Sequence, residues 1–475
     1  MNREAPAVNK TWAELKPGDE ATLRRLCVAD DFIVFAHASG NLNPIHLGEH
    51  GARAPAMWVG ALISSVLGNV LPGPGTVYRD QTLHFREPAH NGDELVIGVR
   101  VKKKGAEPEV IFETWVDRVW KPFSADGDAP GHGTRLCDGE AIVAAPTERV
   151  TFSTAEVPGL IVHRHRHFEA MLRKAEQLPP LLTAVVAPEE PHSLGGALLA
   201  AREHIITPIL IGDRARIEAA AREAGESLDG VQIIPIASHS AAAARAVAMV
   251  HEGTAQAVMK GHLHTDELLR HVVKREGGLR TERRITHVFV MDVPGLDHPL
   301  IISDCAINIA PDLEAKVDIV QNAIDVARAM GIAQPRVAVL SAVETVNPKI
   351  PSTVDASALS KMAERGQIEG GIVDGPLAMD NAMSAEAAKT KGIKGFVAGH
   401  ADVLIAPNLE SGNMLVKQLT FTAHAEGGGL VLGASAPVIL TSRADDERVR
   451  LGSCAIAALY WHWKNVGTAF AMAAE

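Results

Sequence analysis

The strongest constraint on this chain is a change of period near residue 150. Before it, one uncharged apolar stretch at 56–71 is followed by four β-prone runs at 76–85, 94–102, 110–119 and 136–144. Turn-rich segments at 88–93, 105–108 and 124–133 separate them. After it, short apolar strands at 182–187, 208–212, 231–236, 255–259, 287–291, 336–340, 403–406 and 438–440 alternate with alanine-rich helices such as 241–251 and 317–330. The two patterns need two cores, and 475 residues is long for one. Residues 146–160 carry Pro, Thr, Ser and Glu without a clear period, so the boundary is expected there. The reading is an N-terminal domain over 1–146, a linker over 147–164 and a C-terminal domain over 165–475.

The 56–71 stretch has no polar face, so it is expected to be wrapped on nearly all sides. A long antiparallel sheet curling round one such helix is an α+β hot-dog fold. The stretch is not a membrane span, because Pro55, Pro72 and Pro74 shorten its helix and Gly60, Ser64, Ser65 and Asn69 lie inside it. The second half reads as α/β with a mainly parallel sheet. In such sheets ligands bind beyond the carboxyl ends of the strands, where loops lead into helices. Two loops there suit anions. Ala406-Pro407-Asn408-Leu409-Glu410-Ser411-Gly412-Asn413 opens a helix with free amides. Thr441-Ser442-Arg443-Ala444-Asp445-Asp446 sets a hydroxyl beside a guanidinium.

A net charge of −11 argues against general affinity for nucleic acid or an anionic membrane, so an anionic ligand must be held by local groups. Cys27, Cys137, Cys305 and Cys454 are scattered, as free thiols in a reducing compartment would be, and a cytoplasmic location is expected. No secretory signal is visible at the start. His163, His165 and His167 alternate with Arg164 and Arg166 and lack neighbouring carboxylates in the sequence. They read as a solvated helix start, and no metal site is expected.

Ser39-Gly40-Asn41-Leu42-Asn43-Pro44-Ile45-His46, preceded by Phe35-Ala36 and followed by 71–75 and Phe85-Arg86-Glu87-Pro88, resembles the MaoC-like, R-specific enoyl-CoA hydratase family over about 15–146. The resemblance implies a site at His46 with Asn43 nearby, but the position of Asn41 carries Asp in that family. Adding water to an enoyl thioester needs a carboxylate to take a proton, and an amide cannot do that. The domain is therefore expected either to be hydratase-like with its base lost at Asn41, or to bind acyl-CoA or dimerise the chain without chemistry.

The loop Pro437-Val438-Ile439-Leu440-Thr441-Ser442-Arg443-Ala444-Asp445, with Lys260-Gly261, Asn308-Ile309-Ala310-Pro311, Asp374-Gly375-Pro376-Leu377 and Gly412-Asn413, resembles the phosphate acetyl/butyryltransferase family over about 165–470. Pro311 to Lys316 and Gln321-Asn322-Ala323 lean toward its butyryl-type branch. The resemblance implies an isopropylmalate dehydrogenase-like fold of two subdomains. It also implies acyl transfer between CoA and phosphate as substrates, with no resident cofactor. Ser442 would lie by the CoA thiol and Arg443 would bind the phosphate. In acetyl-type members an acid stands seven residues after the serine, where this chain has Val449, so the role falls to Asp445, Asp446 or another loop, and Asp445 is the expected base. Lys260, Asp374, Gly412 and Asn413 are the expected substrate contacts, and a homodimer or higher homo-oligomer is implied. A dehydrogenase of the isocitrate or isopropylmalate type is the alternative for this half.

Overall fold

The structure is a computed structural model that describes residues 7–48, 51–119, 133–153, 162, 165–441 and 445–467. It divides into two compact units, 1–162 and 163–475.

In the N-terminal unit an antiparallel sheet runs in the order Glu20–Leu26, Glu94–Lys104, Glu109–Arg118, Thr134–Ala144, Val77–Gln81, with His84–Phe85 also on Thr134–Ala144. The period-2 pattern decides its faces: Leu95, Ile97, Val99 and Val101 alternate inward and are buried together with Val110, Phe112, Val116, Leu136, Ala141 and Val143. The sheet closes over the helix Ala56–Asn69, which buries Val59, Ile63, Val66 and Leu67 in the same core. The hot-dog arrangement is present. The helix is not wrapped all round, however. Ala56, Met57, Ala61 and Ser64 form an exposed strip, because its uncharged outer face is made of small residues that the sheet does not reach. Within the segment read as a linker, Thr151–Phe152 pairs antiparallel with Ala7–Val8.

Among the described residues the C-terminal unit holds one 11-stranded sheet. Its first block is parallel: Gln232–Pro235, Ile206–Gly212, Leu181–Val186, Ala257–Lys260 and Val438–Ile439. Glu426–Leu432, Thr286–Asp292 and Leu300–Ser303 follow antiparallel. Val403–Ile405, Arg336–Leu340 and Ile372–Leu377 complete a second parallel block with Leu300–Ser303. Three of these strands escape the sequence pattern: Leu300–Ser303, Ile372–Leu377 and Glu426–Leu432. The last carries Gly427, Gly428 and Gly429, residues that weaken a strand pattern. A side chain on Gly428 would lie 2.5 Å from the Ser453 amide, so the glycine is what lets the helix Glu447–Val466 pack onto the strand. The middle of that helix, from Arg450 to Tyr460, is buried, with Cys454, Ala455, Ile456, Ala457 and Ala458 in the main core.

Asp374, expected in a loop, lies inside the strand Ile372–Leu377. This is the outermost strand of the sheet, where Pro376 removes no essential ladder bond, and the pairing shifts register between Ala338 and Leu340. His165 caps the helix Arg166–Glu176, but the setting is not the solvated one expected. The fold brings up carboxylates distant in sequence: Glu426 Oε1 is 3.7 Å from His165 Nε2, and buried Asp292 accepts the Phe168 amide at 2.8 Å. His163 lies outside the described residues. Among the described residues no group of His, Cys, Asp and Glu is placed to hold a metal ion, and no helix is long and apolar enough to cross a membrane.

Candidate active site

The C-terminal unit contains a cleft of about 540 Å³ lined by Lys260, Leu263, His264, Thr265, Ala306, Ile307 and Thr441, among others. Three segments meet there. Lys260 ends the strand Ala257–Lys260 and is only 2% exposed, so it is a buried residue and not an exposed strand end. Its Nζ donates to the Gly261 carbonyl at 3.3 Å, so the ammonium is held at the cleft wall by backbone. Thr441 follows Val438–Ile439 on the neighbouring strand, and its Oγ1 accepts from Arg450 Nη1 at 2.6 Å. Ser442 and Arg443 directly succeed it in sequence and lie outside the described residues.

The third wall is organised by Asp304, a residue the sequence did not single out. Its buried carboxylate accepts from the amides of Ala306, Ile307 and Asn308 at 3.0, 3.1 and 3.1 Å and from Asn308 Nδ2 at 2.5 Å. Asn308 Nδ2 also donates to the Ile285 carbonyl at 2.9 Å. An anion accepting several backbone donors fixes the turn, and so fixes Ala306 and Ile307 against the cleft. The only sequence signal was an aspartate just past a strand and four residues before the asparagine of Asn308-Ile309-Ala310-Pro311.

Gly412 and Asn413 support this wall rather than line the cleft. Asn408 caps the helix Leu409–Thr422 by accepting the Ser411 amide at 2.9 Å, and the Leu409 amide reaches the Ile309 carbonyl at 3.1 Å. Asn413 Nδ2 donates to the Cys305 carbonyl at 3.2 Å, and Gly412 lies so close to the Asp304 carbonyl that no side chain fits between them. Asp374 is not among the cleft-lining residues; its Oδ1 accepts the Gly375 amide at 2.8 Å. Asp445 is half-buried, whereas Asp446 is occupied as the cap of Glu447–Val466, accepting the Val449 amide at 3.0 Å. Burial and the Asp304 charge push the Cys305 thiol well above its ordinary range, so it is protonated and no nucleophile.

In the N-terminal unit Asn41, Asn43 and His46 share one turn after the helix Ala29–Ser39, which ends at Gly40 in the left-handed region. Asn41 Oδ1 accepts the Asn43 amide and Asn43 Oδ1 accepts the Ile45 amide, both at 3.4 Å. His46 is buried, and its Nδ1 lies 2.7 Å from the Arg53 carbonyl. A carbonyl can only accept, so Nδ1 carries the proton and Nε2 presents its lone pair.

The chain thus holds a hot-dog unit with His46 buried in it and an α/β unit with a cleft lined by Lys260 and Thr441. The family model "Phosphate acetyl/butaryl transferase" matches residues 239–458, and the phosphate acetyltransferase of Rhizobium meliloti is 56% identical over 293 residues, 62% of this chain and 93% of the relative. The chain belongs to the phosphate acetyl/butyryltransferase family. A branched-chain phosphotransacylase from Enterococcus faecalis V583 is 32% identical in its crystal structure, covering 59% of this chain and 99% of that one with a TM-score of 0.53. Membership selects acyl transfer over the dehydrogenase alternative. The R-hydratase PhaJ1 from Pseudomonas aeruginosa aligns with 34% of this chain and 100% of its own at 33% identity and a TM-score of 0.29. The hot-dog assignment rests on the strand order and the enclosed helix described above.

Proposed function

We propose that the C-terminal unit moves a short acyl group, such as acetyl, propionyl or butyryl, reversibly between CoA and inorganic phosphate. The observation that carries the reading is the convergence on one cleft of a buried ammonium, Lys260, and of Thr441, whose next residues are Ser442 and Arg443. In one direction a phosphate oxygen attacks the thioester carbonyl carbon, the C–S bond breaks and the CoA sulfur leaves as thiolate. In the other, Asp445 takes the thiol proton, the sulfur attacks the acyl phosphate and phosphate departs. A thiol with an ordinary pKa of about 8.5 needs that help at neutral pH. Asp445 is favoured over Asp446 because the latter is engaged in capping a helix. Arg443 and Lys260 offset the phosphate charge, while Ser442 sits by the thiol. Gly412 and Asn413 act through the Asp304 turn, and Asp374 belongs to the second parallel block. Kinship with isopropylmalate dehydrogenase-like folds of two subdomains is proposed on that two-block sheet. The test is CoA release from acetyl-, propionyl- and butyryl-CoA with and without phosphate; no phosphate-dependent release with any of them overturns the reading.

For the N-terminal unit we infer a hydratase-like site in which His46 keeps its orientation and Asn41 has lost the base. Among the described residues His46 Nε2 has no hydrogen-bond partner and can act on a proton, whereas the Asn41 amide has no proton-accepting role. Loss of such a partner costs about 10²–10⁴ in rate. Asn41→Asp is expected to raise crotonyl-CoA hydration by a large factor; continued inactivity favours a module that binds acyl-CoA or assembles the chain. Self-association is proposed on the exposed Leu42, Ile45 and Met57 of this unit, and a monomer by light scattering overturns it. The cytoplasm is the proposed location, on the four free buried cysteines.

A further inference from the structure

Arg450 is among the largest fully buried side chains of the molecule, 1% exposed in the middle of a tightly packed region. Burying a guanidinium is costly unless it is paired and hydrogen-bonded, and apolar side chains often replace such groups without loss of stability. Its location therefore needs a reason other than packing. It stands on the first turn of Glu447–Val466 and sends its guanidinium toward the cleft, where Nη1 donates to Thr441 Oγ1 at 2.6 Å. The path is made by Gly196 on the facing helix Pro191–Arg202: a side chain there would meet Arg450 Cδ at 2.5 Å and Cβ at 2.8 Å. Charged and titratable groups face the guanidinium from three segments. Glu190 precedes the 191–202 helix and caps it through the amides of His192 and Ser193; Asp445 and Asp446 lie in the loop, and Cys454 lies one turn along the same helix.

We propose that Arg450 is a positioning residue for acyl transfer, holding Thr441, the residue that precedes Ser442 and Arg443 in sequence. Resting on the transferase reading above, the inference adds a group that touches neither substrate but fixes the Thr441 side chain at the cleft wall. No signal in the loop motif marks it, because it stands outside the motif and its partner glycine is more than two hundred residues away in sequence.

The experiment measures phosphate-dependent CoA release in the full chain and in Gly196→Ala, Thr441→Val, Arg450→Met and the double variant Thr441→Val/Arg450→Met, with folding followed by circular dichroism. Gly196 lines no part of the cleft, yet Gly196→Ala is expected to lower kcat about 10- to 100-fold while KM for acyl-CoA stays within about twofold, since displacement by about 1 Å can cost about 10² in rate. Thr441→Val and Arg450→Met are expected to lose kcat similarly, and the double variant to lose no more than the worse single one, because the two residues act as a unit. The inference is overturned if Gly196→Ala keeps kcat within about twofold of the parent, or if the losses at Thr441 and Arg450 multiply. Should Arg450→Met not fold, Gly196→Ala and Thr441→Val decide alone. Activity in the parent with no effect in the variants sinks the positioning role only; no phosphate-dependent release in the parent sinks the transferase reading and this inference with it.

Discussion

Asn308 Nδ2 lies 2.5 Å from Asp304 Oδ2, and the same carboxylate takes three successive backbone amides. The pair is the internal brace of one cleft wall. Asn308→Ala removes the side-chain donor and leaves part of a buried carboxylate uncompensated. A loss of about 1–3 kcal/mol in unfolding free energy is expected from denaturant titration. Loosening of Ala306 and Ile307 is expected to cost about tenfold in kcat/KM, roughly 1.4 kcal/mol of transition-state binding. An unchanged unfolding midpoint would show that the turn is held by backbone alone.

Lys260 is a buried cation of the cleft, and its Nζ donates to the Gly261 carbonyl at 3.3 Å. Replacing it by Met preserves much of the volume and removes the charge. Hydrogen bonds to charged groups contribute about 1.5–3 kcal/mol, so KM for phosphate is expected to rise about 10- to 100-fold. Steady-state kinetics at varied phosphate checks this. A variant affected only in acyl-CoA KM would place Lys260 at the other substrate.

Asp292 offers a pH test. Burial raises its carboxyl above the ordinary 3.8, an effect opposed by the Phe168 amide and by His167 and His165. The folded state therefore binds this proton more tightly than the unfolded one. Its stabilising contribution is present below 3.8 and is lost as pH rises through the raised folded value. Asp292→Asn keeps an acceptor for Phe168 and carries no charge to desolvate, so its stability relative to the parent is expected to improve as pH rises from about 4 toward about 8. Thermal unfolding at several pH values decides it, and a difference that narrows with rising pH contradicts the assignment.

Gly428→Ala tests the closest helix-to-strand packing. The added carbon would lie 2.5 Å from the Ser453 amide and 2.8 Å from the Gly452 carbonyl carbon, both backbone atoms that cannot rotate away. A destabilisation of about 1–3 kcal/mol, or somewhat more, is expected by chemical denaturation. Tolerance of the methyl group would mean that the helix has room to withdraw.

The sequence made the period change legible, and with it the two architectures and Lys260, which the structure brings to the cleft. It hid what depends on tertiary setting. Glu20–Leu26 is an edge strand with little buried surface, so its charged residues carry no alternating apolar mark. Glu426–Leu432 is a buried strand, but Gly428 answers a neighbouring helix, and Gly427 and Gly429 answer the adjacent strand Thr286–Asp292, rather than a turn. Asp304 and Arg450 are ordinary charges in the linear chain; only folding removes them from water and gives each its partners. Asp292 beside His165 and His167 makes the same point, since sequence distance concealed the carboxylate.

The sheet order has a consequence for synthesis. The parallel block begun by Leu181–Val186 and Ala257–Lys260 receives its last strand, Val438–Ile439, from near the far end of the chain. Until that segment leaves the ribosome, Ala257–Lys260 has an open edge of backbone donors and acceptors, the kind of surface that seeks another chain. The wall bearing Thr441 is thus also the closing seam of the sheet, and a polypeptide stopped short of it is left both without a completed cleft and with an adhesive border.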